Sequence, residues 1–315
     1  MLPRIDAPSA MRTRSKPIPR NVTGIVLVDK PAGLSSNHAL QKVKRAFGAA
    51  KAGHTGSLDP LATGMLPVCL GEATKVSGLL LDAAKSYRVA ALLGVATDTA
   101  DADGSVVVRE QPPTVEKAEI NAALESFLGH SEQVPPMFSA LKHKGRRLYE
   151  LARRGEEVAR KPRHIEIFGI ELEALDWPRL EFRVDCSKGT YVRSLVVDLA
   201  ARLGTVGHVT ALRRLRVGSY AESAMVELAA LEALAEQDPD ALDRTLLPAD
   251  SALTDWPSIV LGPEAVLRLR QGQRLTLEEP GTPGRVRLYG KDGVFLGVGE
   301  MLDSLELRPR RLFVA

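Results

Sequence analysis

The stretch from Gly53 to Lys75, which reads GHTGSLDPLATGMLPVCLGEATK, constrains the fold of the chain more than any other. Its glycines permit backbone angles and close approaches that other residues disfavour, and its prolines interrupt regular structure. Because Pro60 directly follows Asp59, we expect an extended backbone at Asp59 and a rigid turn after it. A carboxylate on a stiff, glycine-rich loop can serve a cleft as a nucleophile or a general base, although a lone Asp-Pro pair is more often a plain turn.

Length and composition indicate a soluble protein with one large and one small domain. The chain has 315 residues, of which 44% are hydrophobic and 26% charged. Residues 1–20 carry basic side chains and prolines without the apolar segment of a signal peptide, which predicts a disordered basic arm. The sequence contains no run of about 18 apolar residues, so no membrane span is expected. Cys69 and Cys186 form no CxxC motif, so a thiolate zinc site is not expected and a reducing, cytoplasmic setting fits.

Basic residues are concentrated between Lys142 and Arg163. Nine Lys or Arg residues stand there against three Glu residues, a local excess of +6 on a chain whose net charge is only +3. A concentrated basic patch is the pattern expected where a protein binds phosphate groups. A solvated helix face remains the alternative interpretation.

Hydrophobic periodicity predicts alternating strands and helices through the first 220 residues. The predicted strands are Gly24–Lys30, Lys85–Gly94, Arg163–Leu175, Leu180–Cys186 and His208–Leu215. One predicted helix begins after Ser35 or Ser36 and another begins near Tyr191. A third begins at Thr114 and buries Ile120, Leu124, Phe127 and Leu128. From about Ile259 onward, short strands and turns are predicted, including LRLRQGQRL and a hairpin at Asp292-Gly293.

The acidic segment TDTADADGSVVVRE resembles part of a calcium-binding loop. It lacks the first acidic ligand of such a loop, and strands rather than helices are predicted on either side. The sequence therefore predicts a plain acidic hairpin turn here, without a metal ion.

Several short strings follow one another in the order seen in a known enzyme family: DKPAG, SSN, GHTGSLDPLATG, TDTADADG, PPMFSALK and GTYVR. They resemble the motifs of the bacterial tRNA pseudouridine synthases that act on uridine 55, the TruB family. The resemblance is dense over residues 24–220 and looser over residues 258–315. It implies an α+β fold with a large mixed, mainly antiparallel sheet, flanking helices and a small all-β PUA-like module.

The resemblance also implies domain boundaries. Residues 21–250 are expected to form the catalytic domain, in which an insertion at about residues 135–163 grips RNA. Residues 251–315 are expected to form the PUA-like RNA-binding domain, with Arg308, Arg310 and Arg311 as its available basic residues.

Roles for individual residues come from the same resemblance. Asp59 matches the nucleophile, Arg193 the arginine that pairs with it through a bidentate grip, and Tyr87 the tyrosine that stacks on the uracil. The other matched residues are His54, Tyr191 and Leu212 around the flipped base, and Lys142, Lys144, Arg146 and Arg147 on the RNA backbone. Lys30 has two interpretations, a surface lysine of a turn, which its position favours, or a support for the active-site wall.

Isomerisation of uridine to pseudouridine requires no cofactor and no metal, so neither is expected. The expected partner is the T-arm stem-loop of tRNA, with no membrane and no obligate protein partner, and the chain is expected to be a monomer. Two other functions remain open: a tRNA-binding folding factor with a vestigial pocket, and a synthase subunit that depends on a guide RNA.

Overall fold

The computed structural model describes residues 19–303 and 305–313. Its strands are β1 Gly24–Lys30, β2 Ala52–His54, β3 Thr63–Leu70, β4 Lys85–Leu93, β5 Val95–Thr97, β6 Val106–Arg109, β7 Gly129–Gln133, β8 Lys142–His143, β9 Arg146–Arg147, β10 Arg163–Asp176, β11 Arg179–Cys186, β12 Gly207–Val217, β13 Val226–Glu227, β14 Ser258–Leu261, β15 Leu275–Thr276, β16 Gly284–Gly290, β17 Phe295–Met301 and β18 Glu306–Leu312. Its α-helices are α1 Ser36–Ala46, α2 Ser77–Leu81, α3 Lys117–Glu125, α4 Leu148–Ala152, α5 Val192–Arg202, α6 Leu228–Gln237, α7 Pro239–Asp243 and α8 Pro263–Arg270, with 3-10 turns at Gly71–Lys75, Glu222–Ala224 and Ala249–Leu253.

A large mixed sheet organises the first 230 residues. Its strand order is β13-β1-β3-β12-β4-β11-β10-β7, with β2 paired to β3. The β1–β13 and β3–β12 pairs are parallel, and the other pairs are antiparallel. The expected α+β fold with a mainly antiparallel sheet is therefore confirmed, and β4 lies in the centre of the sheet as predicted.

The sheet is buried on both faces near β1, which explains the uninterrupted apolar run in that strand. Val26 and Val28 belong to the main core, where helices α1, α3, α5 and α6 pack on one face. Ile25 and Leu27 belong to a second core on the opposite face. The second core also contains Val298 from the C-terminal part of the chain.

The C-terminal part forms a separate five-stranded sheet with the order β14-β16-β17-β18-β15. The predicted hairpin at Asp292-Gly293 joins β16 to β17, and Gly293 adopts a positive φ of 78°. The prediction of short strands over LRLRQGQRL was wrong at its start, because Leu267 to Arg270 end helix α8. Apolar residues of this helix, such as Leu269, pack into the small core of the module, and burial outweighs the strand-like alternation of the string.

Two smaller predictions, both about the third helix, were also wrong. Helix α3 begins after Glu116 rather than Thr114, because the side chain of Glu119 reaches back to the Glu116 N–H. Leu128 is exposed, since the helix has ended before it. Most of the predicted basic arm, residues 1–18, lies outside the described residues. Its last residue, Arg20, is held in place by a hydrogen bond from its N–H to the Gly48 carbonyl and by an ion pair with Asp243.

The basic insertion leaves the sheet between two adjacent antiparallel strands. β7 and β10 pair up to the residues Gln133 and Arg163, which lie opposite each other. Between them the chain forms the small β8–β9 hairpin and the short helix α4. Leu148 and Leu151 of this helix are buried. The insertion thus starts and ends at one place, the last residue pair of β7 and β10 at the edge of the large sheet. We call the segment from Gln133 to Phe138 the insertion root.

Candidate active site

The loop that carries Asp59 is held at several points by backbone hydrogen bonds. The Thr55 N–H donates to the Pro67 carbonyl (3.1 Å), and the Ala62 N–H donates to the carbonyl of Asp59 itself (3.1 Å). The Gly33 N–H donates to the Pro60 carbonyl (2.8 Å), which joins the loop to the turn after β1. The rigid turn predicted at Asp59-Pro60 is therefore present.

Ser36, in the first turn of α1, fastens the residue before Asp59. Its hydroxyl accepts a hydrogen bond from the Leu58 N–H (2.7 Å) and donates one to the Leu58 carbonyl (3.0 Å). Both groups are buried, so the loss of this hydroxyl leaves two backbone groups unpaired. Sequence reasoning considered Ser36 only as a helix cap, and Ser35 has that role instead.

Asp59 and Arg193 form an ion pair, as the sequence predicts. The Arg193 Nε lies 2.9 Å from Asp59 Oδ2, and the arginine side chain is 4% exposed whereas that of the aspartate is 38% exposed. Arg193 comes from the first turn of α5, which approaches the loop from the other side of the site. One carboxylate oxygen is thus fixed while the carboxylate remains accessible from the cleft.

The expected bidentate grip of Arg193 on Asp59 is not present. Arg193 Nη1 donates to the Thr99 carbonyl (2.9 Å) and Nη2 donates to the Phe138 carbonyl (2.6 Å). Asp101 lies 3.5 Å from Nη1 as a second carboxylate partner. The terminal nitrogens thus bond to other segments, and the contact with Asp59 is made by Nε. The guanidinium therefore joins the Asp59 loop, the acidic hairpin and the basic insertion.

The acidic hairpin has a structural role here. β5 and β6 pair on either side of the turn, as predicted. Ala100 adopts a φ of 61° within the turn, a conformation that is unfavourable for a residue with a side chain. The buried Asp101 carboxylate accepts hydrogen bonds from the Thr99 hydroxyl and the Asp103 N–H. The strained turn thus aims one carboxylate and one carbonyl at Arg193.

The pKa of the Asp59 carboxyl lies above its ordinary value. Burial is the largest cause, and the charges of Asp101 and Asp103 add to it, while Arg193 acts in the opposite direction. The sequence argument considered only the cation, which favours the ionised form. The carboxylate that results is more basic and therefore more nucleophilic than a solvated one.

Tyr87 on β4 lies close to Arg214 on the adjacent strand β12, since the two residues pair directly across the ladder. The tyrosine is 8% exposed, and burial raises the pKa of its hydroxyl while the Arg214 guanidinium lowers it. The charge of Asp59 is a smaller cause that raises the same pKa. Tyr87 is linked to the Asp59 loop through Arg214, which bonds to the carbonyls of Gly56 and Ser57 just before Asp59.

Arg214 is a residue of the site that sequence reasoning missed. It is 1% exposed, and its nitrogens donate to the carbonyls of Met65 (2.6 Å), Gly56 (3.1 Å) and Ser57 (3.5 Å). No described carboxylate pairs with it. The available signal was Arg214 itself, a charged residue in the buried alternation of the string HVTALRRL.

Gly64 allows β3 to approach Arg214. A Cβ at this position would lie 2.3 Å from the Arg214 carbonyl oxygen, and the φ of Gly64 is +93°. Only glycine fits this close parallel pairing. The glycines of the motif therefore permit the parallel pairing of β3 with β12 as well as the conformation of the Asp59 loop.

His54 and Tyr191, two further predicted site residues, are both half-buried. Burial lowers the pKa of His54, as do the charges of Arg214 and Arg147, and its buried Nδ1 has no partner among the described residues. A neutral imidazole suits stacking on a base. Tyr191 precedes α5, and burial raises the pKa of its hydroxyl, with Asp59 among the smaller causes.

Lys30 does not lie on the surface, so the interpretation that its position favoured was wrong. It is 0% exposed, and its ammonium group donates to the carbonyls of Pro31 (2.8 Å), Leu34 (2.8 Å) and Pro60 (3.4 Å). Burial lowers its pKa to about 8. The turn after β1 folds over the side chain, which explains why sequence position alone suggested exposure.

The remaining predicted residues lie further out. Leu212 is buried in the main core and pairs with Val89 across the ladder. Lys142, Lys144, Arg146 and Arg147 lie in the β8–β9 hairpin, and the charge of Arg147 is among the causes that lower the pKa of His54. Of the three basic residues expected to serve RNA in the C-terminal module, Arg308 and Arg310 instead pair with Glu300.

The described residues contain neither a candidate metal site nor a candidate membrane-spanning helix. No group of three or more His, Cys, Asp or Glu side chains among them is arranged to hold a metal ion. None of their helices combines the length and apolar character that crossing a membrane requires.

Family profiles match the chain over most of its length. One described as TruB family pseudouridylate synthase (N terminal domain) matches residues 44–192. A second, tRNA pseudouridylate synthase B C-terminal domain, matches residues 193–254, and a third, pseudouridine synthase II TruB, C-terminal, matches residues 257–313.

Named relatives are similar over nearly the whole chain. A protein of Sodalis glossinidius named tRNA pseudouridine synthase B is 53% identical over 298 residues, which cover 93% of this chain and 96% of the relative. Proteins with the same name from Nitrosococcus oceani and Vibrio cholerae are each 49% identical, over 93% and 94% of this chain and 95% and 97% of their own lengths.

Among solved structures, the fold resembles that of a chain from a Cbf5-Nop10-Gar1 complex. The TM-score is 0.72 at 24% identity, over 92% of this chain and 85% of that chain. A structure of an H/ACA RNP bound to a substrate RNA containing 2'-deoxyuridine has the same TM-score at 22% identity, over 93% and 85% of the two chains. At these identities the similarity concerns the fold alone.

Proposed function

The chain belongs to the TruB family of pseudouridylate synthases, and from that premise we propose that it converts uridine to pseudouridine at position 55 in the T-arm of tRNA. One observation carries the proposal. Asp59, a partly exposed carboxylate on a rigid loop, lies 2.9 Å from the buried Arg193 of α5. The names of the relatives, all tRNA pseudouridine synthase B, support tRNA as the substrate.

Asp59 acts as the nucleophile in this proposal. In the reaction the bond between C1′ and N1 breaks, a bond between C1′ and C5 forms, C5 loses a proton and N1 gains one. The carboxylate supplies an electron pair and recovers it when the new bond forms. Arg193 holds the carboxylate in place during the cycle, since its own position is fixed by three further acceptors.

The pocket receives a base that has left its RNA stack. Eversion of a nucleotide costs a few kcal/mol, which contacts in the pocket recover. Tyr87 stacks on the uracil, and His54, Tyr191 and Leu212 surround the everted conformation. Because RNA is recognised by shape and by unstacked bases, the remaining contacts fall on the backbone. The hairpin residues Lys142, Lys144, Arg146 and Arg147 bind phosphate groups there.

We further assign residues 21–250 to the catalytic domain and residues 251–315 to a PUA-like module that extends the RNA contact. The chain acts as a monomer, with no obligate protein partner and no guide RNA. The high identity to relatives named for tRNA favours this over a guided subunit.

The test uses the purified chain and a T-arm stem-loop labelled with tritium at C5 of the target uridine. Wild-type protein should release the tritium, and Asp59→Asn should bind the RNA as tightly but release none. If wild-type protein binds without release, the chain is a folding factor. Release that requires an added guide RNA identifies a guided subunit, and substantial release by Asp59→Asn excludes the aspartate mechanism.

A further inference from the structure

Gln133, at the root of the insertion, forms two hydrogen bonds with the peptide groups of Tyr191. Its Nε2 donates to the Tyr191 carbonyl (3.1 Å), and its Oε1 accepts from the Tyr191 N–H (2.7 Å). The side chain is 5% exposed. A side-chain amide that pairs with both groups of one residue imitates the pairing of a neighbouring strand and fixes that residue in position.

Tyr191 is the residue from which α5 begins, and its side chain does not cap the helix. Because Gln133 holds its backbone, it also sets where the first turn of α5 starts. Arg193 lies in this turn, so its side chain leaves the helix from a point that the insertion root determines. A shift of Tyr191 along the helix axis changes the distance from Arg193 to Asp59.

Two further hydrogen bonds join the same segments. The Ser194 hydroxyl donates to the Val134 carbonyl (3.3 Å), and Arg193 Nη2 donates to the Phe138 carbonyl (2.6 Å). The N-terminal end of α5 is thus bonded to Gln133, the last residue of β7, and to two residues after it, Val134 and Phe138. Movement of the insertion root is transmitted to Arg193 without passing through the hydrophobic core.

The segment that follows Gln133 borders an open cavity. The cavity has a volume of about 630 Å³ and is lined by Pro135 and Met137 of the insertion and by Ser194 and Val197 of α5. On this open side, the hydrogen bonds to α5 help to hold the segment in position.

We propose that Gln133 is a positioning residue that couples the RNA-gripping insertion to the Asp59–Arg193 pair. Engagement of RNA by the insertion stabilises the root, the root holds Tyr191 through Gln133, and Arg193 then stays in contact with Asp59. The inference rests on the proposed function, because it assigns a role within the same reaction.

The first experiment measures single-turnover tritium release by Gln133→Leu at saturating T-arm stem-loop. We expect the rate to fall about 10-fold to 100-fold, since small displacements of reacting groups have effects of this size. The dissociation constant for RNA should stay within about threefold, because no phosphate contact is lost. Gln111→Leu, the same change at an exposed position, should leave both values unchanged.

The pH dependence separates positioning from general loss of stability. Arg193 lowers the pKa of Asp59, so an arginine that is less well held lets this pKa rise. The acid limb of the rate profile should therefore move to higher pH in Gln133→Leu. Gln133→Asn, which keeps the amide but shortens its reach, should show the same shift and replaces Gln133→Leu if melting shows that variant to be unfolded.

The second experiment tests the coupling. The charges at Lys142, Lys144, Arg146 and Arg147 are removed in wild-type protein and in Gln133→Leu. If the insertion acts through Gln133, their removal slows turnover at saturating RNA in the wild type but not further in Gln133→Leu. Effects that simply multiply overturn the coupling.

The experiments distinguish failure of the positioning role from failure of the proposed function. A wild-type rate and profile in Gln133→Leu overturns the positioning role, whereas failure of the wild type itself to release tritium overturns the proposed function instead. Exchange of the Arg193 Nε–H with water, followed by NMR without RNA, gives a readout that does not need activity. It should be faster in Gln133→Leu than in wild type, and equal rates contradict the proposal.

Discussion

Three cationic side chains around Asp59 are buried, and all of them donate hydrogen bonds to backbone carbonyls. Arg193 bonds to the insertion and to the acidic hairpin, Arg214 to the loop before Asp59, and Lys30 to the loop after it. Burial of a cation is costly where only carbonyls accept from it, as for Arg214 and Lys30, but each of the three side chains fixes several chain segments at once. The precision of the site therefore depends on single residues.

Arg193→Lys should reduce single-turnover release by roughly 100-fold or more, with little change in RNA affinity. A lysine has one nitrogen, which cannot reach Asp59 and the carbonyls of Thr99 and Phe138 together as the guanidinium does. Rate and dissociation constant are measured separately on the T-arm stem-loop. Arg183→Lys, at a half-exposed position on the outer face of the sheet, is the matched control, and equal rates in the two variants contradict the prediction.

The protein should become more stable as pH rises above about 8, because the buried Lys30 then loses its proton in the folded state. Its pKa is about 8 in the folded protein against an ordinary value of 10.5, so between these values the unfolded chain binds more protons. Uptake by the unfolded state means that the free energy of unfolding increases with pH, by up to about 1.4 kcal/mol per unit. Lys85, whose pKa burial also lowers to about 8, contributes in the same direction.

Urea unfolding between about pH 7.5 and pH 9.5 measures this slope. Lys30→Met should flatten it by roughly the contribution of one group, while Lys291→Met, an exposed lysine, should not. The window ends there because burial raises the pKa of Cys69 to about 12 and that of Cys186 to about 11, against an ordinary value of 9.0, so both oppose the trend from about pH 9 upward. Tyr220, whose pKa burial raises to about 12, opposes it from about pH 10. A slope in Lys30→Met equal to that of the wild type would contradict the burial of its charge.

Among the elements, the β8–β9 hairpin presents the most concentrated charge. Lys144 and Gly145 form its turn with φ values of 48° and 85°, the left-handed pair that a two-residue hairpin requires. Lys142, Arg146 and Arg147 flank this turn. The hairpin is therefore a preformed basic tip rather than a loose charged segment.

Neutralising the four basic residues of this hairpin should weaken binding of the T-arm stem-loop and reduce its dependence on salt. Each lost phosphate contact should flatten the slope of log affinity against log salt by roughly 0.7. Filter binding across a range of salt concentrations gives the slope. Lys42→Gln, a basic residue already paired with Glu232, serves as the control, and an unchanged slope in the hairpin variant removes the hairpin from the RNA contact.

The periodicity of the sequence predicted these elements well, but it did not predict which charged side chains are buried. The bounds of β1 follow from its apolar run, and those of β11 follow to within one residue from apolar alternation. The Asp59 loop follows from its glycines and prolines. The burial of Lys30 and Arg214 depends on segments distant in sequence that close over them. No local pattern carries that information for Lys30, which was misplaced. For Arg214 the one local signal, a charge within a buried alternation, was overlooked.

At the scale of the whole molecule, the two sheets share a core. Val298, Phe295 and Phe313 from the C-terminal part pack with Ile25 and Leu27 from the first strand. Polar contacts cross the same boundary, including the Tyr289 hydroxyl to Asp250 (2.6 Å) and Lys75 to the Leu312 carbonyl (2.8 Å). Different parts of the sequence therefore contribute to one continuous interior.

Calorimetry should accordingly show a single unfolding transition, which Phe295→Ala shifts as a whole. The Phe295 ring lies between Tyr289 and Phe313, with centroid distances of 5.5 Å and 5.1 Å, so its loss leaves a cavity in the shared core. We expect a loss of about 3 kcal/mol. Val294→Ala, at an exposed neighbouring position, should have little effect. Two transitions, of which only one moves, would show that the sheets unfold independently.

The way the insertion leaves the sheet has a consequence for how specificity can evolve. Gln133 and Arg163 face each other as the last pair of β7 and β10, so the chain between them takes no part in the ladder. Its length and sequence can change without altering the strand register, provided that the first residues up to Phe138, whose carbonyl accepts from Arg193, are kept. Under the proposed function, exchange of this one loop offers a route to a new RNA preference while the arrangement of Asp59 and Arg193 is inherited intact.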